Sequence, residues 1–210
     1  MDTFLTLVIA LGGIATGIGA IWAALAARRQ GQISERQTQI TERSLTLTER
    51  SLAEQNERSR LNLEVDLLTR MGDRWEMPHF LSRRRTAADY LLNNAIVGED
   101  IVEVRRLPKA VFDVCNFFEE LGDLQRFGAL QATSVWNRFG TMAQAYWLTC
   151  EPSLTKRREE RADPTMYEEF ERLNRLGEEL DRELGIEPHP QEWLRRIMEE
   201  EAVVVVEDHP

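Results

Sequence analysis

Four residues separate Arg74 from His79, and six separate Arg182 from His189. An arginine that far ahead of a histidine is the spacing some helical ribonucleases use to cleave RNA. Guanidinium suits phosphate, and imidazole suits proton transfer. Such gaps also arise by chance in a chain this rich in arginine, and His79 directly follows Pro78, at a helix start rather than inside a helix. No catalytic residue is therefore assigned; Arg74 and His79 are the first pair to mutate. Cys115, Cys150 and the three histidines (79, 189 and 209) are scattered rather than convergent, so neither a metal centre nor a cofactor is expected. There is no GxSxG, HExxH, paired CxxC or Gly-rich phosphate loop. Arg83-Arg84-Arg85 suits lipid head groups, RNA, or simply a solvated helix face.

The elements that would position these groups begin with an apolar run. Phe4 to Ala27 contains no charged side chain, and Arg28-Arg29 follow at once. Twenty-four residues make roughly 36 Å of helix, enough to cross a hydrocarbon core of ~30 Å. Only Asp2 precedes the run, so the positive-inside bias places the N-terminus outside and the rest in the cytoplasm, which predicts a single-pass protein of the bacterial inner membrane. A cleaved signal peptide is the rival, with Ala24-Leu25-Ala26 as its site, but the acidic start and the long apolar core argue for an anchor. Gly13 and Gly17 form a GxxxG pair; Gly12, Thr16, Ala20 and Ala24 form a second small-residue line along which helices can approach in lipid. Trp22 suits the membrane interface.

A heptad follows. In register it reads ISERQTQ (33–39), ITERSLT (40–46) and LTERSLA (47–53), then a degraded EQNERSR (54–60). A sustained heptad implies helix association. The usual seam is absent, however: with Ile33, Ile40 and Leu47 at position a, position d is Arg36, Arg43 and Arg50. Leu45 and Leu52 lie five residues after a, roughly 140–155° around the helix. Glu35, Glu42 and Glu49 flank the leucine line, and the arginines flank the isoleucine line. Two opposed apolar lines suit a helix placed between two neighbours. If the isoleucine line of one helix meets the leucine line of the next, arginine and glutamate rows pair, and this heterologous contact can close into a ring. The expectation is a homo-oligomer of more than four chains; a solitary polar stalk is the plainer alternative.

Beyond the stem the sequence predicts an all-α domain. Apolar residues thicken from Leu61 (Leu63, Val65, Leu67, Leu68), so the helix should enter a core there. Helices are expected from Pro78 to Asn94, from Pro108 to Leu121, from Thr133 or Ser134 to Cys150, from Asp163-Pro164 to Leu184 with Gly185 as the C-cap, and a short one from Pro190. A loop is expected at Val97–Asp100. Inward positions would be Val111, Val114, Cys115 and Phe118, then Val135, Phe139, Met142, Tyr146 and Trp147. The organisation is thus 1–29 anchor, 30–60 stem, 61–201 helical domain and 202–210 flexible tail. Val203–Val206 could dock on a partner sheet edge or fray.

Charge is uneven: residues 28–85 hold 12 Lys/Arg against 9 Asp/Glu, and residues 86–210 hold 14 against 26. A mildly basic stem suits anionic lipid, whereas the acidic distal part argues against nucleic acid. Two cysteines cannot frame a disulfide scaffold, and both read as small core residues.

Residues 112–128 (FDVCNFFEELGDLQRFG) and 161–173 (RADPTMYEEFERL) resemble the signature segments of an uncharacterised bacterial family, a helical domain of unknown function whose members commonly carry an N-terminal membrane helix. Asn116-Phe117-Phe118-Glu119 and Tyr167, Phe170, Glu171 and Leu173 carry the resemblance, which covers roughly residues 65–175. It implies fold and membrane address but no activity. The aromatics read as core packing, and Asn116 and Glu119 as buried polar partners or a binding surface. The function expected is that of a self-associating, non-enzymatic membrane scaffold or tether for an unknown cytoplasmic protein. The alternatives are an oligomeric pore or membrane-perturbing effector of antiphage defence, by architectural analogy, and a HEPN-like RNase.

Overall fold

The computed structural model describes the backbone of residues 2–97, 100–187 and 191–203, and their side chains except those of 2–21, 23–27, 32–40 and Gln191. Six helices dominate: α1 (Asp2–Glu76), α2 (Pro78–Asn94), α3 (Lys109–Arg126), α4 (Ala132–Arg161), α5 (Glu168–Glu183) and α6 (Gln191–Val203). The fold is all-α. The chain divides into two compact units, Met1–Ser59 and Arg60–Pro210. Among the described residues no helix is long and apolar enough to cross a membrane; the apolar run 4–27 falls almost wholly on side chains outside them.

In the second unit α1 contributes one face to the core, though not from Leu61. Leu61, Leu63 and Val65 are 44%, 52% and 63% exposed. The inward stripe is instead Glu64, Leu67, Leu68, Met71 and Trp75, at helical spacing. Buried Glu64 accepts the N–H of Gln131, the N-cap of α4, at 3.1 Å. Pro78 ends α1, because the residue before a proline is pushed out of the helical region and Met77 takes φ −59°, ψ 135°. Pro78 then opens α2.

Three local expectations are corrected. First, Val97 and Asp100, read as part of a loop, pair in a small hairpin, β1 (Ile96–Val97) against β2 (Asp100–Ile101), with Ile96 opposite Ile101; residues 98 and 99 lie outside the described residues. Strands of two residues are too short to show alternation. Second, α4 starts at Ala132 and runs through Pro152 to Arg161 rather than stopping at Cys150. An internal proline costs about 3 kcal/mol, but Thr149, Cys150, Ser153 and Leu154 are all buried there, and burying one leucine alone recovers about 1.5–3 kcal/mol. Third, Asp163-Pro164 makes a turn, not a helix start. The Asp163 carboxylate accepts the Thr165 N–H at 3.1 Å and hydroxyl at 2.7 Å. Helix α5 begins only after Tyr167, which sits in the left-handed region at φ 58°.

Gly185 ends α5 in the expected manner. At φ 72° it donates to the Arg182 carbonyl at 3.1 Å, and Ile186 donates to that of Asp181 at 2.8 Å. These are the two bonds of a Schellman motif.

Helix α3 packs against α2 and α5, α4 against α5, and α6 against α2. Val111, Val114, Cys115 and Phe118 are fully buried, as the spacing predicts, as are Val135, Phe139, Tyr146 and Trp147 within a few per cent; Met142 is half-buried. Aromatic contacts run through this core: Trp75 to Phe117 at 4.8 Å, Phe117 to Phe139 at 5.5 Å, Phe118 to Phe170 at 4.9 Å, and Trp147 to Phe170 at 5.2 Å. Gly122 lets α3 and α5 touch; a Cβ there would lie 2.4 Å from the Glu169 carbonyl oxygen. Helix α6 runs to Val203, two residues into the segment read as tail, while 204–210, with most of the Val203–Val206 run, lie outside the described residues.

Candidate functional site

The heptad segment presents apolar side chains to solvent. Leu45, Leu47 and Leu52 are 57%, 68% and 54% exposed on a helix otherwise rich in charge. The small hydroxyls between them turn back on their own helix: Thr46 donates to the Glu42 carbonyl at 3.0 Å and Thr48 to that of Ser44 at 2.8 Å. Arg50 pairs along the helix with Glu54 at 3.1 Å, an exposed contact contributing about 0.3–0.5 kcal/mol. Glu42, Arg43 and Glu49 are exposed. Trp22 is 68% exposed, and Arg28 and Arg29 are exposed too. Ile33, Arg36, Ile40 and the small-residue lines (Gly12, Gly13, Thr16, Gly17, Ala20) lie within α1, but their side chains are outside the described residues.

The nuclease-like pair is placed apart in role. The Arg74 guanidinium donates to the Glu120 carboxylate and lies 5.5 Å from the Phe117 ring centroid and 5.9 Å from that of Phe80. His79 is exposed on the first turn of α2. No hydrogen bond joins the two among the described residues, and no metal-ligating cluster occurs among them. His189 lies outside them.

Within the arginine triplet the three side chains diverge. Arg83 pairs with Asp113 at 2.9 Å, and Arg85 is exposed. Arg84 is buried. Its Nε and Nη2 donate to both carboxylate oxygens of Glu201 at 2.5 and 2.9 Å, and Nη1 donates to the Trp75 carbonyl at 2.9 Å. The guanidinium also lies 3.8 Å from the Trp75 ring centroid. Tyr146 donates to the Arg84 carbonyl at 3.0 Å; burial first, then the nearby Glu201 charge, pushes its phenol well above the usual range. A helical stripe exposes this site in the sequence: Phe80, Arg84, Ala87, Ala88 and Leu91 share one face of α2, and Leu194, Ile197, Met198 and Glu201 one face of α6. A charge inside an apolar stripe is the signal for a buried partner.

The family described as Domain of unknown function (DUF4760) matches residues 13–176. The chain belongs to the DUF4760 family. No curated protein and no solved structure matches it. The DUF4760 match begins inside the apolar run, spans the heptads and α2 to α4, and ends within α5, leaving α6 beyond it. Both segments that carry the family resemblance, 112–128 and 161–173, fall inside it.

In those DUF4760 segments Phe117, Phe118, Phe170 and Leu173 are core residues, and Tyr167 stacks on Phe112 at 6.4 Å. Asn116 is exposed. Glu119 is half-buried and accepts the Phe170 N–H at 2.7 Å, so it caps α5 from another helix. Burial raises its pKa above the ordinary 4.5, against the pull of the Phe170 and Glu169 amides. An acid whose folded pKa is raised holds its proton more tightly when folded. Its contribution is full below the ordinary value and is lost as pH rises through the raised one. The stability difference between wild type and Glu119→Gln is therefore expected to fall as pH rises above the ordinary 4.5; urea titrations that give a flat difference contradict this.

Proposed function

We propose that this chain is a membrane-anchored, self-associating, non-enzymatic bacterial protein that tethers a cytoplasmic protein partner at the inner membrane. The observation that carries the proposal is the solvent exposure of Leu45, Leu47 and Leu52 along a charge-rich heptad helix. Apolar side chains on a repeating helical surface gain by pairing with a second helix, and the register sets arginine rows against glutamate rows. The charge-free run Phe4–Ala27 followed by Arg28-Arg29 supplies the anchor and its orientation, and the family match extends into that run. The RNase reading has less behind it, because Arg74 is committed to Glu120.

Mass photometry of the full chain in detergent tests assembly. A discrete homo-oligomer above four chains is expected, collapsing to monomer in a Leu45→Glu, Leu47→Glu, Leu52→Glu triple variant; a wild-type monomer would falsify self-association. Reconstitution into dye-loaded liposomes tests the tether against the pore. Tight vesicles are expected, and dye release overturns the tether in favour of the pore.

A further inference from the structure

A cleft of about 440 Å³ opens between α4 and α5, within the size range of small-molecule sites. Its lining combines the apolar side chains of Leu148 and Ile186 with the charged ones of Glu178, Asp181, Arg182 and Glu187. None of these four charged side chains forms an ion pair among the described residues. Three carboxylates against one guanidinium leave the cleft net negative. A second observation points to a ligand. Gln144 lines the cleft, is only 7% exposed, and its side chain makes no hydrogen bond among the described residues. Its amide atoms keep some solvent contact, which leaves them open to a polar ligand in the cleft.

The acids are held in position rather than swinging free. Trp136 Nε1 donates to Asp181 at 2.9 Å, and its ring is wedged over Gly177, where a Cβ would lie 2.1 Å from the indole. Asn174 Nδ2 donates to Glu178 at 2.9 Å, while the buried Asn174 Oδ1 has no partner. Each carboxylate thus keeps one oxygen for a ligand.

We infer that this cleft binds an aliphatic polyamine. One ammonium would sit between Glu178 and Asp181, the methylene chain would lie along Leu148 and Ile186, and an amine N–H would reach Gln144. Fixed carboxylates beside apolar side chains recognise an alkylammonium and exclude anions, and the second amine would meet Glu187.

Isothermal titration of the full chain in detergent with spermidine tests this. Saturable one-to-one binding is expected, weakened about tenfold by Glu178→Gln, an isosteric change that retains an acceptor for Asn174. Gln144→Leu leaves the net charge untouched and is expected to weaken binding as well, whereas Glu199→Gln on the exposed face of α6 should not. Heat that is unsaturable, or equal across all variants, marks general counter-ion attraction by an acidic protein and overturns the site. Absence of binding overturns it too. Unchanged thermal melting of each variant separates loss of ligand from loss of fold.

Discussion

Glu201→Ala is expected to cost about 3–5 kcal/mol of folding free energy, the cost of leaving a buried charge without its partner. Arg84 would keep the Trp75 carbonyl at 2.9 Å, but the remaining anion within reach is Glu76 at 3.8 Å, whose side chain is 68% exposed and therefore well screened. The double variant Arg84→Met, Glu201→Leu removes both charges and keeps apolar volume, so it should recover most of the loss. Urea denaturation followed by tryptophan fluorescence reads the event directly, since Trp75 lies against the guanidinium. A loss below about 1 kcal/mol, the ordinary scale of a point substitution, would mean that solvent reaches Arg84. The same logic applies to a chain ending at residue 176: it keeps everything the family match covers but deletes Glu201, and it should fold poorly.

Phe118→Ala is expected to cost about 3–5 kcal/mol. Its ring meets Trp75 at 5.4 Å, Phe117 at 5.5 Å, Tyr146 at 6.1 Å and Phe170 at 4.9 Å, so a cavity there faces α1, α3, α4 and α5 together. Rigid rings on four elements cannot collapse inward as one, which puts this site at the costly end of large-to-small changes. Phe112→Ala is the control. That ring is half-buried; among the described residues it stacks on Tyr167 and lies 4.4 Å from the Arg157 guanidinium, so its loss should be about 1 kcal/mol beyond the area it uncovers. Comparable denaturation midpoints for the two variants would contradict the assignment of Phe118 to the core junction.

Much of this architecture was legible because helical stripes are strong signals. The inward faces of α3 and α4 follow from apolar spacing alone, and Pro78 and Gly185 mark helix ends by backbone geometry. What failed did so for identifiable reasons. Leu61 shares the face of Leu68, seven residues on, but lies ahead of Glu64, where burial of α1 begins, while Leu63 and Val65 fall to either side of the inward stripe, so apolar density misled. Pro152 reads as a terminator, yet tertiary burial carries α4 past it. Asp163-Pro164 has the composition of a helix start and the hydrogen bonds of a turn. The cleft was not legible at all: Gln144, Glu178 and Asp181 look like ordinary solvated positions until α4 and α5 are docked. The proposed self-association surface lies at the other extreme, written in a seven-residue repeat.

Neither α4 nor α5 has a local side chain closing its N-terminus. Each borrows a carboxylate from far upstream, Glu64 at a separation of 67 residues and Glu119 at 51. A helix whose starting amides depend in part on a distant partner gains less from forming early, because that part of its first turn waits on loop closure. Start signals that are shared between helices also cannot be inherited separately. Removing the α1 stretch that carries Glu64 would fray α4, and removing α3 would fray α5. Evolution can lengthen the stem or edit the surface piecemeal, but the bundle itself has to be kept or lost whole.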